Sequence, residues 1–422
     1  MEPERFIQFR VAWIDDVGSP RMNRGYRIQY SSAIGPYEGA IHLGHHVNSD
    51  VIKAFGFDSV FANALTGFDV GAAVGGADIN PYDKSEAEIQ RFCQSYMTEL
   101  AKYVGPDLDQ PTMGMGVGEK EVGYLFGQYK RINIKSSSGG NPFLSARNVK
   151  VSFAWRDQEY LEVPRSSISF ILTKYNYIIS IATATATSTP PHQAPGFGVV
   201  HFANEMLKDR GDSLEGKRCL IVGSGKVARS VAEKLIELGA IPITFSDASG
   251  HVYEPDGIDI GRLNTINKIK DDRGALLGRY IIASTTAQFN DPESVFDIPC
   301  DLCFPCAGMG DIDEAAVGKL ANNGCKGIVE GGHSAVTPEA RKTLKKRGLM
   351  YAPSTLTLTG NSIVYALGKT VTDEMLAKEI GRIYSDVKLT AQEFNQRGDL
   401  YAGANIAGFL RVANVMLNHG AV

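Results

Sequence analysis

The stretch KRCLIVGSGKVARSVAEKLIELGAIPITFSDASG, residues 217 to 250, limits what this chain can fold into more tightly than any other. An apolar run, CLIV, enters a glycine turn; the turn opens the amphipathic run VARSVAEKLIEL, and a second β-branched run ends at Asp247. The order is strand, tight turn, helix, strand. Gly223, Ser224, Gly225, Lys226, Val227 and Ala228 fit the GxGxxG/A pattern of a dinucleotide-binding turn. Gly223 permits the turn, Gly225 lets backbone approach a pyrophosphate, Ala228 lets helix pack closely on strand, and the helix N-terminus faces the phosphates. Asp247, twenty-two residues after Gly225, stands near the place of an acid that meets an adenosine ribose. Ala248 and Ser249 beside it leave NAD and NADP both open as cofactors. Further on, the apolar runs YIIAST, DLCFPCA, GIVEGG and LMYAPS alternate with helical or polar stretches, which predicts a doubly wound parallel sheet.

At 422 residues the chain is long for one core, so two domains are expected. The cluster TPPHQAPG, residues 189 to 196, places a boundary near residue 190, after a β-branched and aromatic region at 150 to 187. Residues 84 to 104 read as a surface helix, with Ser85 and Glu88 as a capping box and Ile89, Phe92, Cys93, Tyr96, Leu100 and Val104 on one face. A formal charge of −4 gives a polyanion such as nucleic acid nothing to bind. The start MEPERFIQFR lacks a signal-type apolar core and Lys174 interrupts the most apolar run, so neither export nor membrane insertion is expected. Six cysteines are too few for a disulfide framework, which points to the cytoplasm. Cys300, Cys303 and Cys306 read as a strand entering a turn, with thiols on different faces, and no metal cluster is expected. His42, His45 and His46 in HLGHH offer three imidazoles, but adjacent residues diverge on a regular element, and the segment reads as a solvated loop.

The segments RVAWIDDVGSPRMNRGYRIQYSSAIGPYEGAIHLGHHVN, FDSVFANALTGFDVGAAVGGADINPYDKSEAEIQRFCQSYMTEL, GVGEKEVGYLFGQYKRI and GANIAGFLRVANVML resemble the hexameric glutamate dehydrogenases, and the likeness runs through nearly the whole chain. The resemblance implies an α/β protein of two domains. A substrate and oligomerisation domain would span 1 to 190 plus the C-terminal helices 366 to 422, and a Rossmann-type dinucleotide-binding domain 195 to 365. It also implies a cleft between them and a homohexamer.

Several positions depart from the pattern of that family. Its lysine in GPYxG is Glu38 here, its lysine before NALT is Ala62, its catalytic lysine in the glycine loop is Val74, and its acidic proton shuttle is Gly114. The serine that helps bind the distal carboxylate aligns with Tyr365, the asparagine of EGAN with His333, and a threonine near the nicotinamide with Pro195. Deaminating glutamate needs cations for two carboxylates, a lysine that activates water and an acid that moves the amine proton. On these departures the expectation is an NAD(P)-dependent oxidoreductase turned to a less acidic amino-acid-like substrate, with Glu38, His42 and Tyr365 as its catalytic groups. Asp69 and Glu119 are further titratable groups bordering the cleft. The alternative is a catalytically dead subunit, including a hetero-oligomer with an intact dehydrogenase.

Overall fold

The computed structural model describes residues 2–105, 108–133, 193–272, 274–367 and 371–419. The β-branched and aromatic region at 150 to 187, and the boundary expected near 190, lie outside the described residues.

The first half builds a mixed sheet from β1 (Arg5–Ile14), β2 (Pro20–Ser31), β3 (Tyr37–Leu43), then α1 (Ser49–Thr66), β4 (Ala72–Ala77), α2 (Glu86–Leu100), β5 (Asp109–Met113) and α3 (Glu119–Asn133). The strand order is β1-β2-β4-β3-β5; β1, β2 and β4 run antiparallel in turn, and β3 is parallel to both β4 and β5. Alternation along each strand gives the sheet two apolar faces. Tyr26, Ile28, Val74, Phe55 and Phe61 form the core under α1, whereas Val11, Trp13, Ile41, Phe92, Tyr96 and Leu125 form the core under α2 and α3. GFDVGAAVGGAD, expected as a glycine loop, is therefore corrected: its centre is β4, with Val74 paired to Ile28 and 1% exposed. Helix α2 carries the Ser85/Glu88 capping box and buries the face foreseen for it. Asn48 caps α1 by accepting from the backbone N–H of Asp50 and Val51.

The second half adds α4 (Ala194–Lys208), β6 (Arg218–Val222), α5 (Lys226–Glu237), β7 (Ile241–Pro242), β8 (Thr244–Asp247), β9 (Gly250–Tyr253), α6 (Ile260–Asp271), β10 (Gln288–Asn290), β11 (Leu302–Pro305), α7 (Glu314–Asn322), β12 (Gly327–Val329), α8 (Pro338–Arg347) and β13 (Met350–Ala352). A parallel sheet runs β13-β12-β11-β6-β7, beside a small antiparallel sheet β10-β9-β8. In β6, Cys219 and Ile221 point into a core with α4, α5 and α6, while Leu220 and Val222 point into one with α7 and α8, so helices cover both faces. This is the doubly wound sheet that the alternation predicted. YIIAST is the exception, because its first residues end a 3₁₀ helix, Leu277–Ile282. Cys306 joins the first core, but Cys300 and Cys303 share the second, so only Cys306 lies on a separate face.

Three helices finish the chain: α9 (Thr359–Leu367), α10 (Asp373–Glu393) and α11 (Leu400–His419). They return to the first half. Arg382 donates to the Thr66 carbonyl at 2.6 Å, and Arg411 donates to Ala64 at 3.2 Å and Gly67 at 2.7 Å. Two guanidiniums thus satisfy the open carbonyls at the C-terminus of α1. Asp373, opening α10, is held by His201 of α4 and Lys234 of α5, each at 2.7 Å.

Candidate active site

The glycine turn sits between β6 and α5. Gly223 has φ +107, and a Cβ there would come within 2.9 Å of the Ala307 nitrogen, so glycine is required on both counts. Gly225 is the N-cap of α5, makes no side-chain cap and has open space where a Cβ would go. The first-turn N–H groups of α5 are left to an anion, which is the arrangement a pyrophosphate needs. Ser224 is buried, Val227 is half-buried, and Ala228 is fully buried against the sheet. The exposed Lys226 reaches toward the start of α3, where its Nζ lies 3.2 Å from the Cβ position of Gly118. The turn, with these residues around it, fits a dinucleotide. Asp247 does not reach outward as expected. Its Oδ1 accepts from the Ser249 backbone at 3.0 Å, and its Oδ2 accepts from the Leu277 backbone at 2.8 Å and from Lys270 at 3.2 Å. The carboxylate is consumed by the fold and neutralised by Lys270.

In the first half of the chain a polar layer lies on the α1 side of β3. Glu38 is 4% exposed, and its carboxylate accepts from Asn63 Nδ2 at 3.2 Å and Thr112 Oγ1 at 3.5 Å. Asn63 also donates to the Gly71 carbonyl at 2.7 Å and accepts from Ser362 Oγ at 2.6 Å, which links α1 to α9. Tyr365, one turn along α9, lies against Thr112 and the Met113 backbone, and burial together with the Glu38 carboxylate raises its phenol above the ordinary range. Glu38 and Tyr365, singled out from the sequence, do meet. Asn63, Thr112 and Ser362 carried no local signal, since Ser362 comes from 299 residues away along the chain.

His42 is not in a loop as expected; it is a β3 residue, 2% exposed. Its Nδ1 accepts from the Met115 N–H at 3.1 Å, which leaves the proton on Nε2, and that buried nitrogen has no partner among the described residues. Burial, with the neighbouring His333, His46 and Arg27, holds the ring well below the usual histidine range and hence neutral. Gly114, at the place of the family's acid, explains itself: a Cβ there would lie 2.3 Å from the Ile41 carbonyl and 2.8 Å from His42 Nδ1. The imidazole fills the room a side chain at 114 would need. His333 stacks on Phe55 with ring centroids 4.4 Å apart and meets His42 edge-on at 5.7 Å. Burial lowers its pKa to about 4. Ser334 next to it donates to Asp58 of α1 at 3.0 Å, and burial raises the Asp58 carboxyl to about 6. Glu330 anchors this turn by accepting from the backbone of Val336 at 2.7 Å and Ser354 at 2.5 Å.

The remaining positions scatter. Val74 and Ala62 are core, Pro195 starts α4 where its missing N–H costs nothing, and His45 and His46 are exposed, edge to face at 5.5 Å. Among the described residues no group of three or more His, Cys, Asp or Glu is arranged to hold a metal ion.

A doubly wound sheet with an open phosphate turn, whose β12 leads into the His333 turn packed against a buried acid and imidazole on a second sheet, defines a two-domain dinucleotide-binding protein. The chain belongs to the Glu/Leu/Phe/Val dehydrogenase family: the family's dehydrogenase model matches residues 188–420 and its dimerisation-domain model matches residues 3–131. That family uses NAD(P). An NADP-specific glutamate dehydrogenase of Chlorella sorokiniana is 37% identical, over 100% of this chain and 76% of its own length. One of Helicobacter pylori (strain J99) is 35% identical, over 100% of this chain and 89% of its own. Plasmodium falciparum glutamate dehydrogenase 2 superposes with a TM-score of 0.78 at 38% identity, covering 100% of this chain and 86% of the other.

These relatives overturn the expectation of a repurposed or dead enzyme. That expectation rested on the departures at Glu38, Ala62, Val74, Gly114, Tyr365, His333 and Pro195. The likeness to glutamate dehydrogenases is unbroken from end to end of the chain.

Proposed function

We propose that this chain is a glutamate dehydrogenase that prefers NADP. The observation that carries the reading is full-length likeness to NADP-specific glutamate dehydrogenases, in a chain that keeps an open phosphate turn and a buried polar layer around Glu38. Asp247 supports the NADP preference: with its carboxylate tied to Lys270 and two backbone N–H groups, it offers little repulsion to a 2′-phosphate.

When bound, the nicotinamide supplies the acceptor for the hydride that leaves the substrate Cα. The residues of the chain do the rest. Glu38, oriented by Asn63 and Thr112, holds the substrate ammonium and takes its proton. His42 donates its Nε2–H to a carboxylate oxygen. Tyr365 closes the wall beside Glu38, while the His333 turn, held by Phe55 and Asp58, covers the His42 side of the site. Water then displaces the nitrogen as ammonia, giving the 2-oxo acid.

Residues 1–190 with 366–422 would form the substrate and oligomerisation unit, and 195–365 the dinucleotide unit. Self-association suits the exposed apolar residues Ile14, Val17 and Met22 on the outer hairpin and Phe409 and Leu417 on α11. Six cysteines in no disulfide suit a reducing, cytoplasmic setting.

The test is oxidation of L-glutamate by purified protein with NADP and with NAD. Turnover with a preference for NADP is expected; no glutamate turnover with either cofactor sinks the reading. For Glu38, a Glu38→Gln variant should lose about 100-fold or more in kcat/KM while binding NADP as before. Unchanged kcat/KM would remove Glu38 from the mechanism.

A further inference from the structure

In the parallel sheet, β11 and β12 pair with Leu302 beside Gly327 and Cys303 beside Ile328. The pairing continues below the strands, since the Lys326 N–H donates to the Asp301 carbonyl at 2.7 Å. Carried two residues back along both chains, the same register sets Cys300 beside Cys325. Both side chains point into the same core, at 6% and 4% exposure. Neighbouring strands lie about 4.8 Å apart, inside the roughly 4.4–6.8 Å of Cα separation that a disulfide spans. The other thiols of this sheet have different lateral neighbours. Cys303 sits between Ile328 and Leu220, Cys219 lies beside Leu302, and Cys306 faces Gly331 beyond the end of β11.

We propose that Cys300 and Cys325 are a modification site: a dithiol pair that hydrogen peroxide converts to a disulfide stapling β11 to β12, and that thiol reductants reopen. The Cys325 thiolate attacks one peroxide oxygen, the O–O bond breaks, and a proton leaves with the second oxygen as water, giving a sulfenic acid. The Cys300 sulfur, losing its proton, attacks that sulfur and expels the hydroxyl as a second water. Two thiols are oxidised and one peroxide is reduced. Cys325 is the attacking thiol because its neighbour Cys300 lowers its pKa. The pair lies beside the turn Asn323–Gly324, and its oxidation requires that turn to open locally to peroxide.

The experiment treats folded protein with hydrogen peroxide, blocks the remaining thiols, and maps linked peptides by mass spectrometry, with thermal unfolding in parallel. The expected result is a single Cys300–Cys325 linkage with loss of two hydrogens, an unfolding midpoint raised by several degrees, and reversal of both by dithiothreitol. Cys300→Ser and Cys325→Ser, each checked for a native circular dichroism spectrum, should abolish the linkage, and Cys303→Ser should leave it. Six freely titrating thiols after treatment, or a linkage through Cys219, Cys303 or Cys306, would overturn the proposal.

Discussion

At Gly114 the smallest side chain is imposed by a carbonyl and an imidazole. Gly114→Ala should therefore cost about 1–3 kcal/mol through forced displacement of Ile41 and His42, read as a fall in the urea midpoint. A neutral effect would mean that the His42 ring does not hold this space. Glu330 makes a prediction in pH. It is 1% exposed, and burial raises its carboxyl from 4.5 to about 7 against the donors that face it. A raised acid binds its proton more tightly folded than unfolded, so its contribution is complete below pH 4.5 and is lost as the pH climbs to about 7. The loss is about 3 kcal/mol. His333 has the opposite sign, because its folded pKa of about 4 lies below 6.5 and stability rises with pH across that interval. The two overlap, so the stability difference between wild type and Glu330→Gln isolates Glu330. That difference should move against the wild type between pH 5 and 7 by about 2 kcal/mol; a flat difference would refute the assignment.

Among elements, the β6-turn-α5 unit and α2 were legible in the sequence because their signals are local: a glycine pair, a capping box, one apolar face. Strand β4 was not. Its glycines and alanines look like a loop, and only pairing with β2 and β3 on either side makes AAVGGA a central strand. The 3₁₀ turn at Leu277–Ile282 was missed for the converse reason, since its apolar run has strand composition but pairs with no strand among the described residues. Asp247 was placed correctly at the end of its strand, yet its partners Lys270 and Leu277 come from the next helix and turn. At this scale, Lys270→Ala should leave Asp247 unneutralised and weaken NADP about 10-fold more than NAD, measured by fluorescence titration. Equal weakening of both would assign Lys270 a structural role alone.

For the whole molecule, the C-terminal helices matter most, because Arg382 and Arg411 tie the last third of the chain to α1 and so hold the two halves in one frame. The exposed apolar hairpin predicts that Val17→Asp with Met22→Glu lowers the mass seen in sedimentation, while the circular dichroism spectrum stays native. An unchanged mass would move the interface elsewhere. The sequence by itself determined the dinucleotide turn, the two-domain plan and the kinship with glutamate dehydrogenases, because each is written in residues close together or in one continuous likeness. Only the tertiary structure decided what surrounds Glu38 and His42. Asn63, Ser362, Phe55 and His333 reach them from separate elements, and a hydrogen bond across 299 residues leaves no periodicity for a sequence to display.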